Sequence, residues 1–270
     1  MAKKTVGAEA AKLAGLQVDS LTKFRDGQLT LDQWEWFNNL SRETRDQLMT
    51  GKVEIVQAKC VLPDIDQQLD SWKGFWDQVA GTKINIHNVK IPDHQPGFDQ
   101  LIFMPEEVKM TNNSIFDLCN RHFEKPYWKY YDNLDREITY HDRNPNNGSY
   151  AILVRDREEA DEENKDLPPR HFWDEEPDGA PRLSKICTET YLERMVHGLH
   201  YFKRASRHLD RKFITLCPAS RYHGGSSPLV SFNPRHGGVC VYYCHPDDHD
   251  PEWRARSAVS LPVEPRESAA

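Results

Sequence analysis

An α+β fold is predicted from three features of the chain. Helical periodicity runs through residues 1–52 and returns over Leu183–Ala205. Short segments of period-two alternation lie between and after these stretches, and Gly/Pro/Asn clusters separate the two kinds. The layout expected is a helical N-terminal unit (1–52), a mixed central region with a β-hairpin (53–166), a Pro-rich acidic linker (167–182), a long helix packed on a small antiparallel sheet (183–260) and a frayed tail (261–270).

In the first unit, Leu13, Leu16, Leu21 and Phe24 suit a helix that Gly27 stops. Thr30 with Gln33 forms a capping-box pattern ahead of Leu31, Trp34 and Phe37, and Ser41 opens a third helix that ends at Gly51. Helix, turn and helix is also the outline of a DNA reader. However, Asp32, Glu35, Glu43 and Asp46 outnumber Arg42 and Arg45, which is the wrong sign for a surface facing phosphates.

In the central region, Ile84, Ile86, Val89 and Ile91 predict a strand with a bulge, and Leu101–Met104 a second strand. A helix over Asn113–Phe123 places Ile115, Leu118, Cys119 and His122 on one face. The turn Asn144-Pro145-Asn146-Asn147-Gly148 is expected to join Glu137–Tyr140 and Tyr150–Val154 as a hairpin. The acidic run Asp156–Glu163 is expected as an exposed helix, and Pro168, Pro169, Pro177 and Pro181 mark the linker.

Leu192, Met195, Val196, Leu199 and Phe202 give the strongest helical pattern. Beyond it, Phe213–Cys217, Leu229–Phe232 and Val239–Cys244 read as an antiparallel meander, and Asp250–Ser260 as a short closing helix.

Composition narrows the function classes. With 38% hydrophobic residues, seven Trp, ten Tyr and eleven Phe, the chain carries too much apolar surface for general disorder. No stretch approaches the roughly 18 apolar residues of a membrane span, and no apolar run follows the basic N-terminus. Six cysteines without a paired framework suggest reduced thiols, so a soluble cytoplasmic protein is expected. The net charge of −7 is uneven: from Ala180 onward 13 Lys+Arg face 9 Asp+Glu, a balance of +4, which leaves −11 for the preceding residues. Lys203, Arg204, Arg207, Arg211 and Lys212 form a basic stretch able to receive an acidic protein or a nucleic acid. Trp34, Trp36 and Trp253 are candidates for base stacking or for packing.

The chemistry-bearing residue types concentrate near the C-terminus. Cys217, His223, Cys244, His245 and Asp247 make a candidate nucleophile–base set, in which a thiol would be activated by a histidine and oriented by a carboxylate. Cys217, Cys240, Cys244, His245 and His249 offer the donor types of a zinc site. The spacing opposes this: C-x3-C within an alternating strand separates the sulfurs by roughly 13 Å at about 3.3 Å per residue. His223-Gly224-Gly225 and His236-Gly237-Gly238 read as turns, because no nucleophile elbow accompanies them.

Leu31–Phe37, Tyr140–Pro145, Tyr150–Arg157, Leu216–Tyr222 and Arg254–Ser260 resemble segments of a group of uncharacterised bacterial proteins. The resemblance spans residues 21–260 and implies one evolved unit and no particular chemistry. The function expected from the residues is therefore a non-enzymatic binding or scaffold protein using the basic C-terminal region. The alternative is a zinc-binding protein or a Cys/His-dependent enzyme.

Overall fold

The computed structural model describes residues 64–87, 89–123, 128–173, 186–233 and 238–261, all within one unit, Val61–Ala270. The expected helices of residues 1–52, the tail from 262 and most of the Pro-rich linker lie outside the described residues.

Helix α1 (Ile65–Ala80) buries Trp72, Phe75, Trp76 and Val79 along one face and ends at Gly81, whose φ of 63° lets its N–H close the last turn. Its polar groups do more than face water. The Trp72 and Trp76 indoles donate to the Leu101 and Phe103 carbonyls, at 2.9 and 3.3 Å, and the Gln68 amide oxygen accepts from the Leu101 N–H at 2.8 Å. Those backbone groups belong to β1 (Gln100–Met104), an outer strand, so three helix side chains at i, i+4 and i+8 take the place of a neighbouring strand.

Strand β1 pairs antiparallel with β4 (Tyr150–Val154), which also pairs with β10 (Ala258–Val259). A second sheet has the order β2 (Trp128–Lys129), β8 (Gly238–Cys244), β7 (Ser227–Asn233), β5 (Ile214–Leu216), β9 (Trp253–Ala255). Strand β3 (Ile138–His141) pairs with β6 (Ser220–Tyr222). Helix α2 (Asn112–His122) opens with a capping box at Thr111 and Ser114, and the single turn α3 (Leu134–Glu137) precedes β3. Helix α4 (Tyr191–Ala205) lies among these layers with every residue from Tyr191 to Tyr201 buried.

The predicted α+β class holds, with six local corrections. Of the helix expected over Leu183–Ala205, residues 186–190 are not helical and α4 begins at Tyr191, where Thr190 caps it. Residues 83–87 and 89–91 are extended but form no strand; Ile84, Ile86, Val89 and Ile91 alternate because they lie against the core, not because they pair. Strands β3 and β4 exist but belong to different sheets, so the Asn144–Gly148 turn is a crossing between sheets and not a hairpin. The acidic run is irregular apart from one 3-10 turn at Glu162–Asn164. The closing segment forms β9 and β10 in place of a helix. The C-terminal sheet is antiparallel only in its β5–β7–β8 centre, since β2 and β9 join its edges parallel. The main core draws on both sides of the linker, with Ile152 and Leu153 packed in one cluster with Leu192, Val196 and Val230.

Candidate functional site

The C-terminal cysteines and histidines do not converge. Cys217 is fully buried in the main core, whereas Cys244 lies with Phe172, Leu216, Leu229 and Ala255 in the smaller one. Alternation along β8 produces the separation: Val239 and Val241 face the main core, and Tyr242 and Cys244 turn to the smaller one. His223 and His245 are exposed; His249 is exposed and hydrogen-bonded to Asp166 at 3.0 Å. Asp247 pairs with Arg170 at 3.0 Å, and it is Asp248 whose carboxylate accepts from the His245 N–H. Among the described residues no group of three or more His, Cys, Asp or Glu is arranged to hold a metal ion. Cys217, Cys240, Cys244, His245 and His249 are thus scattered as donors, and Cys217, His223, Cys244, His245 and Asp247 are scattered as a nucleophile set.

Burial also sets the thiols against reactivity. It pushes Cys217 well up, Cys244 up to about 12 and Cys240 upward, the opposite of what an attacking thiolate needs. Cys119, on α2, donates to the Met195 carbonyl at 3.7 Å, while His122 bonds the Val79 carbonyl at 2.9 Å, so that pair serves two separate backbone groups. In thiol labelling of the native protein mapped by mass, we expect modification among the described cysteines at half-buried Cys187 and Cys240, with Cys119, Cys217 and Cys244 protected until unfolding. Rapid native modification of Cys217 would restore the nucleophile reading.

Two of the five basic side chains, Arg204 and Arg207, are paired from within. Arg204 pairs with Asp156 and also donates to Gln100 at 2.8 Å; Arg207 pairs with Glu158 at 3.2 Å. The Glu159 carboxylate accepts from the backbone N–H groups of Lys212 and Phe213. Farther along the acidic run, Asp161 and Glu163 both hold Arg155, and Glu162 pairs with Arg254. The acidic run and the helix end thus meet in two ion pairs, Asp156 with Arg204 and Glu158 with Arg207. Lys203, Arg211 and Lys212 keep exposed side chains.

Helix α4 carries a buried polar seam. Thr190 and Glu193 form its capping box, and Glu193 is gripped by Arg143 through two bonds of 2.8 Å, while Arg143 also donates to the Thr188 carbonyl. Burial pushes the Glu193 carboxyl up, and Arg143 more than offsets this, leaving it below its ordinary value. At the next residue of the helix, Arg194, a second cluster begins: Arg194 and Arg256 converge on Asp210, each at 2.6 Å, and Thr215 completes its shell. Gly198 leaves room for this arginine: a Cβ there would stand 2.6 Å from the Arg194 Nη1 and push the guanidinium from its place. His197 bonds Glu189 at 2.7 Å with both residues buried.

His141 Nδ1 and Ser220 Oγ lie 2.7 Å apart, the spacing of a base and its nucleophile. The hydroxyl already accepts from the Tyr191 N–H at 2.8 Å and Ser220 is fully buried, so the pair ties β3 and β6 to the start of α4. Sequence reading found the helix but missed this seam: Thr190-x-x-Glu193 signals the cap, but nothing local signals Arg143, Asp210 or Arg256 as partners.

The exposed aromatic residues lie at the β2 edge of the larger sheet. Trp128 and Tyr130 are 54% and 55% exposed, and with Leu261 they are the exposed large hydrophobics among the described residues. Tyr130 continues the β2 register by donating its N–H to the Val241 carbonyl. The rings form a ladder. Trp128 and Tyr130 are 6.2 Å apart at 82°, Tyr130 meets Tyr131 at 4.9 Å and Tyr243 at 5.3 Å, both near perpendicular, and Tyr131 stacks on Tyr243 at 5.4 Å. Tyr222 and His245 extend it. A hydrogen bond with Tyr243 holds the Tyr131 hydroxyl up at about 12, with Glu137 adding to the shift. Lys129 turns away, its ammonium over the Phe116 ring and bonded to Asn113. The sequence signal was available in the dense aromatic run of residues 127–131. No family model, no curated protein and no solved structure matches the chain.

Proposed function

We propose that this is a non-enzymatic binding or scaffold protein whose recognition surface is the aromatic ladder at the β2 edge. The carrying observation is the exposure of Trp128 and Tyr130 at the head of a continuous set of interlocked rings. Isolated exposed apolar residues need no explanation, but a rigid contiguous aromatic patch offers large contact area at small entropic cost. Its inner members are held by packing, with Tyr131 stacked on Tyr243 at 5.4 Å, so the surface is set before any ligand arrives.

The basic helix end supports a second reading, since Lys203, Arg211 and Lys212 remain exposed. An acidic protein or nucleic acid bound there would compete with Asp156 and Glu158 for Arg204 and Arg207.

Protein labelled with 15N-tryptophan separates the two. The Trp128 indole signal is assigned by its loss in Trp128→Phe, and the protein is titrated with a polyproline peptide, an oligosaccharide, a single-stranded oligonucleotide and heparin. A shift of the Trp128 signal by at least one probe is expected. Silence at Trp128 under all four would overturn the proposal, and a heparin response reduced by Arg211→Glu with Trp128 unmoved would favour the basic end.

A further inference from the structure

We infer that the basic end of α4 receives an acidic peptide segment of a partner protein, and that Asp156 and Glu158 are a built-in competitor for it; the inference rests on the second reading above. Lys203, Arg204, Arg207, Arg211 and Lys212 are all exposed, and two of them already hold carboxylates of this chain. Asp156 pairs with Arg204 and Glu158 with Arg207 at 3.2 Å, and all four side chains stay between 27% and 57% open to solvent. Exposed pairs of this kind contribute little to stability, so an incoming carboxylate can replace them. The side chains of Lys203, Arg211 and Lys212 form no ion pair with another described residue, and they give a longer acidic ligand contacts that the internal segment does not make.

The exchange needs no unfolding, because the backbone beneath these carboxylates is fixed independently of them. Arg256 donates to the Arg157 and Glu158 carbonyls at 3.1 and 2.8 Å, and the Asp210 N–H donates to the Glu158 carbonyl at 2.9 Å. The two acidic side chains can therefore swing aside while their segment stays in place. The next residue, Glu159, places its carboxylate on the backbone N–H groups of Lys212 and Phe213. The basic end thus already holds three carboxylates of one short peptide, which sets the chemistry of the ligand that replaces Asp156 and Glu158. A nucleic acid is the poorer match. The exposed large aromatic side chains among the described residues, Trp128 and Tyr130, belong to the β2 edge, so bases would have no exposed ring at the basic turn on which to stack and phosphates alone would carry the binding.

The test is fluorescence anisotropy of the full chain with a labelled peptide of alternating aspartate and glutamate. Saturable binding that weakens as salt is raised is expected. Arg211→Glu with Lys212→Glu should weaken it about tenfold or more. Asp156→Asn with Glu158→Gln should tighten it several-fold, since it removes a competitor whose tether gives it a high effective concentration. The control is Asp117→Asn with Asp132→Asn, the same change in net charge at exposed carboxylates on other elements, which should leave the affinity within about twofold. Unchanged circular dichroism and melting show that the variants remain folded. A peptide that binds neither the natural protein nor the Asp156→Asn, Glu158→Gln variant, an affinity unmoved by those two substitutions, or an equal gain from the control would overturn the inference. If heparin or a single-stranded oligonucleotide binds in an Arg211-dependent way and the peptide does not, the partner class is wrong and the basic-end reading stands. If no anion depends on Arg211, both fail.

Discussion

Asp210→Ala is expected to lower the stability of the protein by about 3–5 kcal/mol, with a fall in melting temperature on the order of 10 °C. Asp210 is fully buried and accepts from two arginines that reach it from different parts of the chain, Arg194 on α4 and Arg256 between β9 and β10. Its own N–H donates to the Glu158 carbonyl and its carbonyl accepts from the Phe232 N–H. Removing the carboxylate leaves two guanidinium groups, each about 3% exposed, without their common counter-charge. That penalty greatly exceeds the Coulomb energy of an exposed pair. The control is Asp247→Ala, which breaks the surface contact with Arg170 and should cost under about 1 kcal/mol. Urea unfolding monitored by tryptophan fluorescence measures both. A loss under 1 kcal/mol for Asp210→Ala would show that the seam is not a keystone, whereas a variant too unstable to purify can be compared through Thr215→Val, which removes one member of the shell.

Acidification from pH 6.5 to 4 is expected to destabilise the fold progressively. Burial holds His141 and His208 down to about 4 and His200 down to about 3, and it lowers His197 against the opposing pull of Glu189. Each imidazole is neutral in the fold and takes up a proton on unfolding once the pH drops below its ordinary value of 6.5. Between that value and the folded one the unfolded state binds more protons, so the contribution is complete above pH 6.5 and declines as pH falls. His141 and His200 each account for a decline on the order of 3 kcal/mol by pH 4, at 1.36 kcal/mol per unit; His208 is more open to solvent and contributes less. His200 is held in this state by packing, its ring stacked on Trp72 at 4.2 Å. Below this window Glu193 and Asp210, both held under their ordinary carboxylate values by arginines that outweigh burial, lose their contribution as they protonate. Urea midpoints measured at intervals from pH 7.5 to 4 test the window; a flat profile between 6.5 and 4.5 would show these histidines to be protonated in the fold.

Period was legible where the interactions are local. The apolar positions of α4, the Ile115, Leu118 and Cys119 face of α2 and the three strands β5, β7 and β8 follow from neighbours within a few residues, and they stand where expected. Alternation at Ile84, Ile86, Val89 and Ile91 misled because an extended chain lying on a core alternates as a paired strand does. The Asn144–Gly148 turn misled for a related reason: turn chemistry brings the chain around but does not choose the strand it will meet, and β4 pairs with β1 across a long sequence separation. Cysteine and histidine density near the C-terminus suggested one site, whereas strand alternation sends Cys217 and Cys244 into different cores.

By itself, then, the sequence determined the α+β class, the helical faces, the strand segments of the C-terminal sheet and the opposite charges of the connector and the helix end, all of which arise from composition and short-range periodicity. Tertiary structure alone decided that Asp156 and Glu158 of the connector pair with Arg204 and Arg207 at the helix end, that Glu193 and Asp210 receive Arg143, Arg194 and Arg256, and that Trp128 and Tyr130 stay exposed at the β2 edge. The physical reason is range. Periodicity records which side of an element avoids water, but the partner of a buried charge or an aromatic ring is chosen by packing between segments tens of residues apart.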